Sequence, residues 1–386
     1  MSHTGVLGGA ERVLLGVAGG HVPRGTALLF ADGPLRTQLQ ARGVPCAVVA
    51  DAPDLSRVRR DAPLLRAALP AVRGMIRVAR RVAEASRHAD VVYANSQKAF
   101  VVSAVAAFAR RRALLWHLHD ILDSDHFGRM QIRLVVKLAN LAADAVVVPS
   151  AAAEAAFVAA GGRADLVRVV HNGVDLPVVA QATPRAELGL PGGPLLGVFS
   201  RIARWKGQHV AVAATALLPG VHLLLVGGPQ FGEDSYLAEL REQVAMLGIA
   251  DRVTMMGHRE DVATLMRAVD VCVHPSVSAE PFGLTVVEAM ACGLPVVAAR
   301  NGAIPEIIDD GSDGLLVEPG EPEALADALR GLLADAVTAR RLGDRARQTA
   351  RERFSQPRTA AAAAAVVNEV AAHGGRRGAA ARAVLR

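Results

Sequence analysis

Ser276-Val-Ser-Ala-Glu280-Pro-Phe-Gly283-Leu-Thr-Val-Val-Glu288-Ala-Met-Ala-Cys-Gly293-Leu-Pro295 is the stretch on which the fold turns. It follows the apolar run Val271–His274, which reads as a strand, and its spacing predicts a helix of about ten residues from near Phe282. Gly293 suits the helix stop and Pro295 the opening of the next strand. Glu280 then falls in the loop before the helix. A loop and helix N-terminus at the C-terminal edge of a parallel strand is where α/β sheets take ligands, because unpaired amide N–H groups there meet phosphate and sugar oxygens. Glu280 and Glu288 each add a group with two oxygens that only accepts hydrogen bonds, which suits pairs of hydroxyls. Standing alone, the pair reads instead as a helix cap and a surface glutamate.

Outward from this stretch, short Val/Leu runs alternate with longer Ala-rich segments of helical period. Cys46–Ala50, Val91–Ala94, Leu114–Leu118, Ala145–Pro149 and Val167–Val170 form one series. Leu195–Ser200, Val221–Gly227, Val253–Gly257, Val271–Pro275, Pro295–Ala299 and Gly314–Val317 form a second. Such alternation predicts parallel sheets covered by helices, and 386 residues at 52% hydrophobic content suit two domains. The expected division is an N-terminal domain over 1–176, a Pro/Gly-bearing linker over 177–193 and a second domain over 194–355. A helix over 356–373, packing back toward the first domain, and a disordered basic tail over 374–386 complete it.

In the second series Ser200-Arg201-Ile-Ala-Arg-Trp-Lys206-Gly207 follows the first strand. Arg201 offers a planar fork for a diphosphate and Lys206 a compact point charge. Lys206 is one of only three lysines, the others being Lys98 and Lys137, in a chain whose Arg and Ala excess fits a high-GC bacterial genome.

Aromatics at 3% argue against stacking of bases on exposed rings, and no nucleic-acid partner is expected. Cys46, Cys272 and Cys292 lack disulfide or zinc spacing, which fits a reducing cytoplasm. No signal pattern or membrane-spanning run is seen. Residues 1–150 hold 20 Lys/Arg against 11 Asp/Glu, net +9, much of it in Arg57, Arg59, Arg60, Arg66, Arg73, Arg77, Arg80, Arg81, Arg87 and Arg110–Arg112. These arginines suit either a solvated face, the preferred reading, or peripheral contact with anionic lipid at the inner face of the membrane.

Taken in order, Ser200-Arg201…Lys206-Gly207, Leu225-Val-Gly-Gly228, Val253…Gly257, Val271…Pro275-Ser276, the two glutamates with seven residues between, Gly293-Leu-Pro-Val-Val297, Gly302…Pro305-Glu306 and Gly311…Gly314-Leu-Leu-Val317 resemble glycosyltransferase family 4. The resemblance implies the GT-B fold, two Rossmann-like parallel-sheet domains facing each other across a cleft. It implies a metal-independent, retaining hexosyltransferase of polysaccharide or cell-envelope biosynthesis. Such an enzyme moves a sugar from a UDP- or GDP-sugar to a hydroxyl of a glycan, lipid-linked or small-molecule acceptor, with no cofactor. By the same resemblance, Arg201 and Lys206 hold the donor diphosphate. Glu280 with the Phe282, Gly283, Leu284 and Thr285 backbone holds the transferred sugar, Glu288 the ribose, and His258 and Arg259 the base.

The first half is similar to the family at Gly8-Gly9-Ala10-Glu11, a loop facing the donor phosphate, and at Trp116-His-Leu-His119-Asp120, which places His119 near the reacting sugar. Val170-His-Asn172-Gly173-Val-Asp175 resembles the turn that leads to the linker. Family members carry a strand just before the glycine loop, so the N-terminal sheet is expected to lack a central strand, the loop to lose its anchor, and the true start to lie upstream. Asp123-Ser-Asp125 has the form of a metal motif but no supporting site, and no metal is expected. Two alternatives stay open: a nucleotide-sugar epimerase on the same fold, and an inert partner subunit, against which the retained charged residues speak.

Overall fold

The computed structural model describes residues 1–20, 25–49, 68–110, 112–124, 127–175, 183–230 and 232–383. Two compact units emerge, one of residues 1–173 with 356–386 and one of residues 174–355.

The second unit holds a six-stranded parallel sheet: β7 (Leu195–Phe199), β8 (His222–Val226), β9 (Val253–Gly257), β10 (Val271–His274), β11 (Val296–Ala299) and β12 (Leu315–Val317). These labels follow the six strands of the first unit, given below. The order is β12-β11-β10-β7-β8-β9. A parallel strand covered on both faces must be apolar on both. Leu195 and Phe199 of β7 join one core with Leu224, Val226, Cys272, Val296 and Ala298, while Leu196 and Val198 join the other with Leu223, Leu225, Val271, Val273 and Val297. That double burial is why the strands read as unbroken Val/Leu runs. The chain order reverses where β7 and β10 lie side by side, the place in an open α/β sheet where ligands are usually taken.

In the first unit β3 (Val91–Ala94), β4 (Ala113–His117), β5 (Ala145–Val148) and β6 (Val167–Val169) form a parallel sheet, and β1 (Ala27–Leu29) pairs with β2 (Cys46–Val48). Between the two pieces stand only Met1 and Ser2. The Ser2 amide donates to the Leu28 carbonyl and the Ser2 carbonyl accepts from Phe30, while the Met1 carbonyl accepts from Asn95. The expected gap is thus a stub of two residues, and the glycine loop keeps an anchor after all: the Leu35 amide donates to the Gly5 carbonyl and the Arg12 amide to that of Gly8. The Met1 ammonium is buried, which pulls its pKa down to about 5. The sequence reading did not mark β1, although it sits in the apolar run Ala27-Leu-Leu-Phe-Ala31.

Helix boundaries differ in two places. The helix after Glu280 begins at Leu284 rather than near Phe282, since Gly283 caps it, and ends at Cys292 before Gly293. The last helix runs Gln356–Ala383 rather than ending at 373, because the alanines beyond the glycine pair restore helix propensity. Residues 177–182 of the expected linker and Arg57, Arg59, Arg60, Arg66 and Arg111 lie outside the described residues. Among the described residues, no helix is long and apolar enough to cross a membrane.

Candidate active site

The β7 and β10 loops meet at the point where the sheet order reverses. Lys206 ends a short turn after β7, and its Nζ lies 2.9 Å from Glu280 Oε1 and 2.7 Å from Oε2, although the two residues are 74 positions apart. Gly207 makes the approach possible. A Cβ there would fall 1.9 Å from the Pro275 carbonyl oxygen, at a φ of +71° that other residues rarely adopt. The Val277 amide donates to the Trp205 carbonyl and closes the same contact. From the other side, the Ala303 amide donates to the Glu280 carbonyl at 2.9 Å. A Cβ on Gly302 would strike the Glu280 backbone at 2.3 Å.

Two further groups bear on the carboxylate. His274 Nε2 is 3.2 Å from Glu280 Oε2, and the Ser276 hydroxyl donates to the same oxygen at 3.1 Å. Both residues are buried. Burial by itself would push the Glu280 carboxyl up; the Lys206 charge and the hydrogen bond from His274 overcome this and hold it far below the usual carboxylate range. Glu280 is therefore a fixed anion, saturated on Oε2 and aimed by its neighbours. Trp205 lies beneath both cations, with Arg201 Cζ 5.3 Å and Lys206 Nζ 4.1 Å from its ring centroid. Buried Gln208 donates to the Arg201 carbonyl at 2.8 Å and the Ser200 hydroxyl at 2.9 Å, which sets the loop that carries Arg201.

Gly283 caps the Leu284–Cys292 helix, so the Phe282–Thr285 backbone and Glu288, one turn on from Leu284, follow directly from the Glu280 loop. His258 leaves β9 beside the Gly227-Gly228 loop: the Gly227 amide donates to the Gly257 carbonyl at 2.8 Å. Arg259 forms a half-exposed ion pair with Asp261 at 2.7 Å, and the same bonds raise its pKa. Arg201, Lys206, Glu280, Phe282–Thr285, Glu288, His258 and Arg259 thus all leave the C-terminal ends of β7, β9 and β10 in one unit.

The remaining site residues belong to the first unit. Gly8 and Gly9 open the Gly9–Gly20 helix, and buried Glu11 turns back to accept from the Gly8 amide at 3.2 Å and the Ser2 hydroxyl at 3.3 Å. Its pKa rises because burial outweighs those bonds. Asn95 joins this loop to His119: its Nδ2 donates to the Ala10 carbonyl at 3.0 Å, so its Oδ1 faces His119 Nε2 at 3.1 Å. An amide oxygen only accepts, which places the His119 proton on Nε2 and leaves Nδ1 the basic nitrogen. Burial lowers the His119 pKa to about 3, so the ring stays neutral. His117 lies against it, tilted by 37° with ring centroids 3.9 Å apart, and is itself 2.5 Å from the Tyr93 hydroxyl through Nδ1.

Asp125 lies outside the described residues, and among the described residues no group of three or more His, Cys, Asp or Glu is placed to hold a metal ion.

A family model for glycosyl transferases group 1 matches residues 181–349, and one for glycosyltransferase family 4 matches residues 7–177. The chain is 37% identical to Anabaena HepE, whose crystal structure contains UDP, with a TM-score of 0.83 over 95% of this chain and 98% of that one. The chain belongs to glycosyltransferase family 4, group 1.

Its GT-B neighbours include a second HepE structure, in complex with UDP-glucose, at 36% identity and a TM-score of 0.84 over 95% of this chain and 98% of that one. Sucrose-phosphate synthase of Thermosynechococcus elongatus is 26% identical, with a TM-score of 0.72 over 85% of this chain and 83% of that one. D-inositol 3-phosphate glycosyltransferase of Mycobacteroides abscessus is 42% identical over 173 residues, which are 43% of this chain and 39% of that relative. The chain spans about two fifths of the length of the curated relatives it matches. In this glycosyltransferase the sequence reading passed over His274, Gln208 and Asn95. His274 was visible as a polar residue ending an apolar strand one step before Pro275. Asn95 and Gln208 carry no such signal, since their partners are 85 and 7 positions away and nothing in their own segments marks them.

Proposed function

We propose that this chain transfers a sugar, with retention, from a nucleoside diphosphate sugar, UDP-linked in first place, to a hydroxyl of a glycan, lipid or natural-product acceptor. The observation that carries the reading is the Lys206–Glu280 pair at the reversal point of the second sheet, with Arg201 on the same loop. Arg201 and Lys206 meet the charge that grows on the leaving diphosphate, which makes a metal ion unnecessary there. Glu280, kept ionised and oriented, accepts from sugar hydroxyls, and Glu288 does the same for the ribose. HepE, at 36–37% identity, supports the uridine base, and His258 and Arg259 are the residues we assign to it.

In the step itself the bond from the anomeric carbon to the diphosphate oxygen breaks and a bond to the acceptor oxygen forms on the same face. The acceptor proton passes to the departing phosphate oxygen. No protein nucleophile is required. His119, with Nδ1 free of its proton, accepts from a sugar hydroxyl and helps hold the sugar.

A thermal-shift and donor-hydrolysis screen over UDP-, GDP-, ADP- and dTDP-sugars tests this, with Lys206→Ala and Glu280→Gln as controls. A UDP-sugar is expected to give the largest shift, and both variants to lose it. No shift with any donor, or equal shifts in the variants, would refute the assignment.

A further inference from the structure

The helix Arg129–Ala142 of the first unit has two apolar faces where a helix on a sheet needs one. Ile132, Val135, Val136 and Ala139 are buried and account for its packing. Met130, Leu134 and Leu141 are nevertheless 61%, 56% and 65% exposed. At spacings of four and seven they line one side of the helix, in a stripe about 16 Å long at 1.5 Å per residue.

The charges on this helix are all of one sign. Arg129, Arg133 and Lys137 are exposed, and Arg133 and Lys137 fall between and beside the apolar residues. The segment 129–142 contains no Asp or Glu. Asp144, just beyond it, is turned inward to accept from the Leu114 amide at 2.9 Å. Among the described residues none of the three cations is in an ion pair. In the same helical layer, the Ala68–Ala85 helix shows Arg77 and Arg80 to solvent.

We propose that this face docks on an anionic lipid bilayer, with Met130, Leu134 and Leu141 entering the boundary between headgroups and acyl chains while Arg129, Arg133 and Lys137 meet lipid phosphates. A protein partner would need acids placed in register with these cations, whereas a fluid anionic surface supplies charge at any register and takes apolar side chains beneath it. Long Arg and Lys stems can lie along the same apolar layer with their charges in the headgroups. The buried face stays in the core, so the helix lies flat on the surface and none of its packing is given up. None of these residues is among those assigned to the donor, and the proposal does not rest on the donor reading.

The test is flotation of the full chain with vesicles of phosphatidylcholine alone and of phosphatidylcholine with phosphatidylglycerol, beside sedimentation velocity without lipid. The wild type is expected to float only with the anionic vesicles, less so in high salt. Leu134→Ser with Leu141→Ser, and separately Arg133→Glu with Lys137→Glu, are each expected to cut binding at least about tenfold. Both variants should keep the wild-type melting temperature and donor-induced shift, since every changed side chain is exposed. Failure of the wild type to float, equal flotation with neutral vesicles, or variants that float like the wild type would overturn the proposal. So would a wild type that is oligomeric and becomes monomeric on the leucine changes, which would make the stripe a contact between copies.

Discussion

Glu280 of the second unit and Glu11 of the first are both buried carboxylates beside glycine-bearing loops, and their surroundings drive them in opposite directions. Glu280 is met by a lysine, a histidine and a hydroxyl, and its pKa falls. Glu11 is met by two backbone amides and one hydroxyl, has Asp120 as an electrostatic neighbour, and its pKa rises. At Glu11 the hydrogen bonds do not offset burial, whereas at Glu280 the Lys206 charge together with the hydrogen bonds does. One unit therefore keeps its buried carboxylate ionised with a cation, and the other holds its glycine loop with a carboxyl whose pKa burial raises.

Removing the cation should break this contrast most severely. Lys206→Ala strands Glu280 in the interior and is expected to cost about 3–5 kcal/mol in denaturant unfolding. Because Glu280 is held below its unfolded value of about 4.3, the pair's contribution is complete above that pH and disappears as the pH falls through the lower folded value. The wild type should accordingly lose stability at acid pH more steeply than Lys206→Ala. Next in size, Asn95→Asp keeps the shape of the amide but sets a carboxylate against His119 and a second oxygen against the Ala10 carbonyl. A loss of about 1–3 kcal/mol is expected, together with a His119 pKa well above the wild-type value, read by NMR titration of the imidazole. Ser276→Ala removes one of the donors to Glu280 and should cost about 1 kcal/mol with a small rise in the carboxyl's pKa. Smallest of all, Glu11→Gln should change stability by under about 1 kcal/mol, with its sign set by pH. Glu11 has a raised folded pKa, so the wild type gives up stability as pH climbs from the unfolded value through the folded one. The glutamine variant should lack that decline when unfolding is measured across the range.

The second unit was far more legible than the first. Its strands are covered on both faces, so each shows as an uninterrupted apolar run; Val253–Gly257 coincides with β9 and Leu195–Ser200 overruns β7 by one residue. Arg201, Lys206, Glu280 and Glu288 stood out by residue type and spacing taken together, and the family resemblance supplied the roles expected of them. Hidden from that reading was the direct contact of Lys206 with Glu280, because it depends on β7 and β10 being neighbours, a property of sheet order and not of either segment. His274 and Ser276 lie on the same segment as Glu280, and their contacts with its carboxylate depend on how the β10 loop folds back on itself. In the first unit the run that holds β1 was passed over, and the orientation of Asn95 depends on two partners from separate loops. The Arg129–Ala142 helix passed unremarked because its second apolar stripe becomes visible only once the first is seen to be buried.

Gly207 has a thermodynamic consequence. By letting the β7 turn lie against the Pro275 carbonyl, it locks the loops that carry Lys206 and Glu280 together when the chain folds. The conformational entropy of ordering those loops is then spent at folding and not at ligand binding. Donor association should carry a correspondingly small entropic penalty in calorimetry, and Gly207→Ala, by forcing the loops apart, should return that penalty to the binding step.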